Sequence, residues 1–418
     1  MSSAPTGTTE PSDGTAGFRE LGCGPRLYVP CEGEPRPPGT HVAAGEPLSR
    51  DGGSPAPAAG RIVAVSRRPV LGGEIVTSLE LETEDSPASP AGSTDAARVQ
   101  DMLGRLKPAD LPAVLEKLQA SGVGANRWAS PDLLGQLRKA VESPPTFILC
   151  GALDLDPALP LQRTLAATRA MEIAAGAAAL GKLTGTQRVI LSVPEDMSPV
   201  GIAALRAASA AARLRLYPIQ DEYPVAHPSL LIRRITGRRL KPGRLPIEAG
   251  VILLDAPAAL ALGRRLLHGE PMLRVPFGVY DLVGGKHHLL WAPVGATVEH
   301  ALHFVGISST SCELRAGHML RDVPASRDAI LAGGELTLFA SEPHPAPDAE
   351  ACLRCGWCVE ACPAGIHPAG LLDAAQQHDP QLAQHHGIQS CIECGICSYV
   401  CPSRLPLMQS IRHMRAQK

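Results

Sequence analysis

No apolar run in this 418-residue sequence is long enough to cross a bilayer: Ile173 to Leu180 is too short, and Ala249 to Leu262 is broken by Asp255. The opening Met1 to Glu10 has neither a basic segment nor an apolar one, so no signal peptide is expected. Charge of one sign is lacking too. A formal net charge of −2 argues against a nucleic-acid partner, which would want a basic surface. Aromatic residues are scarce at 3%, but hydrophobic residues reach 44%, enough for ordinary buried cores and room for two to four domains. Serine–histidine–aspartate or cysteine–histidine groupings of a nucleophilic enzyme do not stand out. His287, His288, His385 and His386 lack the spacing of a separate metal site and read as surface residues. Paired-cysteine scaffolding is also missing, which fits a reducing cytoplasm rather than a secreted fold.

What the chain does have is a repeated cysteine pattern near its end. Cys352, Cys355, Cys358 and Cys362, followed by Pro363, repeat the spacing of Cys391, Cys394, Cys397 and Cys401, followed by Pro402. Each run is C-x2-C-x2-C-x3-C-P. In bacterial two-cluster ferredoxins three closely spaced thiolates of such a run hold one cube, and the fourth ligates the other. The expected sets are therefore crossed: Cys352, Cys355, Cys358 and Cys401 for one [4Fe–4S] cluster, and Cys391, Cys394, Cys397 and Cys362 for the second. Zinc also takes four thiolates, but a tetrahedral site has no use for a third cysteine at the same spacing plus Cys-Pro. The remaining four cysteines, Cys23, Cys31, Cys150 and Cys312, are scattered singly and read as ordinary thiols. A helix is expected from Gly370 to Gln377 in the long spacer between the runs, making a helical ferredoxin module of residues 343–418.

Ahead of that module the expected fold is multidomain α/β. Residues 1–20 are rich in Ser, Thr, Gly and Pro and read as disordered. Residues 21–82 are short apolar runs between Gly and Pro turns, a small β domain. Its Gly39 to Val65 stretch is similar to the barrel-sandwich fold of biotinyl and lipoyl carriers, but no lysine stands there to be modified, so a docking or lid role is expected. A polar linker, 83–100, leads to an α/β unit at 101–270. Helices are expected over Leu106–Leu118, Pro131–Val141, Leu161–Leu180, Val200–Ala212 and Pro257–Leu267. Strands are expected over Thr146–Cys150, Arg188–Val193, Leu214–Tyr217 and Val251–Leu254, giving a mostly parallel sheet. Residues 271–342 turn back to strands in a smaller α+β unit. Arg233, Arg234, Arg238, Arg239, Lys241 and Arg244 form a basic patch. It reads first as a solvated surface, with anionic lipid, an acidic ferredoxin or a nucleotide as alternatives.

In this order the parts resemble the RnfC family of the Rnf/Rsx electron-transport complexes, whose middle is similar to the flavin-bearing 51-kDa subunit of respiratory complex I. Glu222-Tyr-Pro and the stretch from Leu231 to Val251 resemble the family's YPxGxEKQLIxxxTGxxVPxGxLPxDxGV segment, and Gly269 to Val275 and Cys391 to Leu407 follow it closely. The resemblance runs from about residue 20 to the end. It implies a Rossmann-like α/β domain, a small β-grasp-like unit, and an electron-transfer subunit lying peripherally on the cytoplasmic face of the cell membrane through its partners. Those partners would be ferredoxin-like and integral membrane subunits, with soluble ferredoxin or NADH as carrier.

One place departs from the family. Its flavin loop, GxGGAGFPTxxK, corresponds here to Gly122-Val-Gly124-Ala-Asn-Arg-Trp128, without the glycine pair, the Phe-Pro-Thr or the lysine. The family's NxxECEP segment corresponds to Cys150 to Pro157, where the asparagine is gone and Asp154 and Asp156 keep the carboxylates. Small residues admit an isoalloxazine ring, and an Arg and a Trp do not. Gly122, Gly124, Asp154 and Asp156 therefore read as a degenerate flavin or nucleotide site, and the reading favours an iron–sulfur relay without FMN or NADH. The alternatives are a self-contained FMN-dependent NADH dehydrogenase and a scaffold with structural clusters.

Overall fold

The computed structural model describes residues 17–50, 53–84, 94–120, 127, 129–156, 158–307, 312–343 and 348–416. Gly122, Gly124 and Trp128 of the expected flavin loop lie outside them. After a short β1 (Arg19–Glu20) come β2 (Arg26–Pro30), β3 (His41–Val42), β4 (Gly60–Pro69) and β5 (Ile75–Thr83). They form an antiparallel sheet in the order β2-β5-β4-β3. Helix α1 (Ala96–Arg105) starts inside the stretch expected to be linker, with Asp95 accepting from the Arg98 amide at its N-cap. The leucine run after it makes α2 (Leu111–Ala120), entered through a 3₁₀ turn at Pro108–Asp110.

Helix α3 (Leu133–Glu142) begins two residues later than expected, because the Asp132 side chain caps Gly135. Then strands and helices alternate: β6 (Phe147–Gly151), α4 (Leu161–Thr168), α5 (Ala170–Thr184), β7 (Val189–Pro194), α6 (Pro199–Ala212), β8 (Arg215–Ile219), α7 (Pro228–Thr236), β9 (Val251–Asp255) and α8 (Ala256–His268). All four strands pair in parallel in the order β8-β7-β6-β9. The single long helix expected at 161–180 is two, broken at Arg169, whose φ of −127° leaves the helical region.

One face of this sheet is covered by the alanine-rich α5 and by α8. Gly176 and Gly263 let them touch: a Cβ on Gly176 would run into the Ala259 carbonyl oxygen, and one on Gly263 into that of Glu172. The other face packs Leu149, Ile190 and Leu253 against Leu231 and Ile232 of α7.

Next come β10 (Arg274–Asp281), β11 (Lys286–Pro293), α9 (Val298–Val305), β12 (Glu313–Ala316), β13 (Val323–Pro324) and β14 (Thr337–Ser341). They join β1 in one sheet, order β1-β11-β10-β14-β12-β13. Here the expected partition changes. Residues near the N-terminus pair with β11, and Leu27, Ile62, Leu79 and Leu81 share a continuous core with Phe277, Leu290 and Leu338. The two β units are one packing unit separated by the α/β insertion. The chain closes with α10 (Trp357–Glu360), α11 (Pro368–Gln376), α12 (Pro380–His385), α13 (Ile396–Tyr399) and α14 (Leu407–Ala416), around a small core of its own. The helix expected at 370–377 is α11, two residues early because Pro368 suits a first turn.

Because the α5–α8 approach leaves no space for a side chain, Gly176→Val is expected to lower stability by about 1–3 kcal/mol. Urea unfolding followed by circular dichroism measures it, and an unchanged midpoint would mean the helices separate freely.

Candidate iron–sulfur site

Each cysteine run adopts the same local backbone. Arg354 and Gly356 in the first, and Glu393 and Gly395 in the second, all have positive φ, between 55° and 83°. These left-handed residues curl the chain so that amides point inward, and the glycines then cap the one-turn helices α10 and α13. At Gly395 the requirement is double, since a Cβ would collide with the Leu320 carbonyl oxygen.

The thiols fall into two groups of four. Cys362, Cys391, Cys394 and Cys397 line one narrow cavity, walled by Ile366, Ile392, Ile396, Met408 and Ile411. The Cys358 thiol lies within electrostatic reach of Cys355, Cys401 and Cys352. The fourth cysteine of each run thus sits with the other run's three. The groups differ in setting: Cys394 and Cys397 are buried, while Cys352 and Cys355 are exposed beside Leu353 and Trp357, which are 68% and 56% exposed. Burial, and then the neighbouring thiols, push Cys394 up to about 11 and Cys397 up to about 12. Amides pull the other way: Glu393 donates to Cys391 Sγ at 3.4 Å, and the Ile396 and Ser398 amides act on Cys394 and Cys397. A pocket that crowds thiols, penalises their charge and aims N–H groups at sulfur suits a cationic iron core. Among the described residues no three His, Cys, Asp or Glu side chains close round a point the size of one ion. The thiolates of a four-iron cube sit on separate corners, farther apart than ligands of a single tetrahedral zinc.

The second group is bolted to the rest of the chain. Tyr223, just before α7, donates its hydroxyl to the Cys394 carbonyl and stacks on His318 with ring centroids 4.1 Å apart. Arg412 of α14 donates to the Arg321 and Asp322 carbonyls at 2.8 and 3.0 Å. The segment 318–322 is therefore wedged between the α/β unit and the cysteine turn.

The carboxylates expected at a flavin site serve this architecture. Asp156 accepts from the Met319 amide at 3.1 Å and the Ala158 amide at 2.9 Å. Asp154 caps α4 through the Gln162 and Arg163 amides, at 2.7 and 3.1 Å, and binds the Arg163 guanidinium. Burial pushes the Asp154 carboxyl up to about 7, and Arg163 opposes that shift. Arg127 forks onto Asp255 at 2.6 and 2.7 Å, both side chains almost fully buried. Sequence reasoning missed this pair, and no local signal links residues 128 positions apart. Asp154 and Asp156 are both engaged with backbone amides, and Arg127 is held in an internal ion pair. Cys150, in β6, is fully buried with its thiol pushed up by burial.

A parallel α/β unit is joined here to two crossed thiol foursomes of the iron–sulfur type. Residues 134–263 match the Nuo51 FMN-binding domain family and residues 344–402 the 4Fe-4S dicluster domain family. The chain is RnfC-like. It is 30% identical over 322 residues to the RnfC protein of the ion-translocating oxidoreductase complex of Yersinia enterocolitica, covering 74% of this chain and 45% of that one. It is 29% identical to the corresponding protein of Edwardsiella ictaluri, covering 91% of this chain and 48% of that one. It thus spans about half the length of these curated relatives. Among solved structures, an NAD+-reducing [NiFe]-hydrogenase in the H2-reduced state shares the fold at TM-score 0.53 and 14% identity, over 76% of this chain and 63% of that one.

Burial holds two imidazoles neutral here, His318 lowered to about 4 and His227 to about 3. The unfolded chain takes up these protons from about pH 6.5 downward while the fold refuses them, so stability is full above pH 6.5 and drains between 6.5 and 4. His318→Gln is expected to flatten the fall in stability between about pH 7.5 and 5.5, measured by urea unfolding at each pH. A wild-type and variant difference independent of pH would contradict this.

Proposed function

We propose that this chain is the electron-transfer subunit of an Rnf-like, ion-translocating oxidoreductase complex, passing electrons through two [4Fe–4S] clusters. The observation that carries it is the pairing of thiols across the two runs. Cys352, Cys355, Cys358 and Cys401 would hold one cluster, and Cys391, Cys394, Cys397 and Cys362 the other. A [4Fe–4S] cluster supplies one-electron transfer at a potential set by charge, hydrogen bonds to sulfur and solvent exposure. The protein's part follows from its own groups. Crossing the fourth cysteines holds the two centres as neighbours. The isoleucines of the inner cavity exclude water, and the Glu393, Ile396 and Ser398 amides favour the charged thiolates. The outer foursome meets solvent, so the two centres differ in environment and hence in potential.

In this reading residues 21–82, a barrel-sandwich-like docking unit, and 271–342, a β-grasp-like unit, share one core, 101–270 are a Rossmann-like domain of the 51-kDa type and 343–418 the helical ferredoxin module. No helix among the described residues is long and apolar enough to cross a membrane. Attachment to the inner face of the cell membrane would come from the partner subunits, ferredoxin-like and integral membrane ones, with soluble ferredoxin or NADH as the carrier.

Anaerobically purified protein is expected to hold about eight iron and eight sulfide, with no flavin released on denaturation. Ligation is tested by subtraction. Replacing Cys352, Cys355 and Cys358 together by Ser is expected to leave about four iron. Adding Cys362→Ser should remove the remainder, while adding Cys401→Ser should not. The reverse dependence would show uncrossed sets, and stoichiometric FMN with NADH-reduced clusters would make the chain a dehydrogenase.

A further inference from the structure

A groove of about 740 Å³ opens beside the inner foursome, and its charge does not match that of the chain as a whole. Seven Lys and Arg side chains line it against one carboxylate, Glu393, although the whole chain carries a formal net charge of −2. Glu393 is itself covered by Arg415 at 2.8 Å and Arg412 at 3.4 Å. Arg233, Arg239 and Lys241 are exposed and have no ion-pair partner among the described residues, and the exposed Arg244 shares Glu248 at 3.4 Å. Ser390 to Glu393, the turn that carries Cys391, line it too. The basic patch of the sequence is therefore not a plain solvated surface: its loop forms the wall of a groove ending at a cluster ligand.

We propose that this groove docks an acidic redox protein, placing that partner's redox centre against the cluster held by Cys362, Cys391, Cys394 and Cys397. The proposal rests on the relay reading above. The arrangement separates this occupant from two others. A flat lipid surface cannot follow a concave groove along to the Cys391 turn that lines it. A bound nucleotide would want buried cations converging on its phosphates, whereas the uncommitted ones here stand exposed along the wall, the layout that steers a charged surface. In the transfer, one electron leaves the partner's reduced iron–sulfur centre, which is oxidised, and enters the oxidised cluster, which is reduced. No bond is made or broken.

The test uses the full holoprotein and a triple charge reversal, Arg239→Glu with Lys241→Glu and Arg244→Glu. Iron and sulfide are measured first: a variant and wild type that both fail to load clusters would overturn the relay reading itself. With both loaded, calorimetry reads binding of a redox-inert, gallium-substituted acidic ferredoxin, and stopped flow reads reduction by the native reduced ferredoxin. Reversal is expected to weaken binding and slow reduction by about tenfold or more at low salt and to flatten the dependence on ionic strength. Reduction by methyl viologen radical should be unchanged. Equal binding and equal salt dependence in variant and wild type would overturn the docking proposal alone. So would loss, in the variant, of NADH or anionic-vesicle binding that the wild type shows without ferredoxin binding.

Discussion

Gathering eight thiols into two groups of four is the constraint on which the C-terminal module depends. Its apolar core is small, built from Ile366, Leu371, Leu372, Ile388, Leu407 and Ile411 with half-buried cysteines packed against it. Such a core supplies little stability alone. Thiolates pushed together without a cation repel one another, and burial penalises each of them. Bound iron reverses both terms, so the same residues that hold a cluster need one to be stable. Because Cys362 belongs with the second run and Cys401 with the first, neither turn closes without the other, and the two centres are neighbours by construction.

The rest of the molecule is arranged to hold that module still. Tyr223 reaches the Cys394 carbonyl from the α/β unit, Leu320 lies against Gly395, and Arg412 reaches back to the carbonyls of 321 and 322. Asp156 fixes the other side of the same segment through Met319. The α/β unit thus works as a bracket, its Asp154 and Asp156 carboxylates holding backbone amides and the Arg163 guanidinium. Around the bracket the two foursomes face different media, the inner one apolar walls and a basic groove, the outer one solvent.

Much of this was legible in the chain. The cysteine spacing prompted the crossed sets, and the alternation of short strand runs with helical patterns announced the parallel sheet. What could not be read was long-range. Nothing local shows that residues 19–20 add a strand beside Trp291, or that Leu27 and Phe277 share a core across the α/β insertion. Nor does sequence show what a carboxylate holds: Asp154 and Asp156, read as a degenerate flavin site, accept from the amides of Gln162, Arg163, Ala158 and Met319. The break at Arg169 is invisible to helical periodicity, since both halves keep their apolar faces.

The central claim, two neighbouring clusters held by crossed thiolates, is tested most directly by EPR of the fully reduced holoprotein. Two paramagnetic [4Fe–4S]⁺ centres held side by side are expected to give a broadened, split spectrum from their magnetic interaction, collapsing to a simple rhombic signal when only one is reduced. Two unperturbed signals that add without interaction at full reduction would contradict the account.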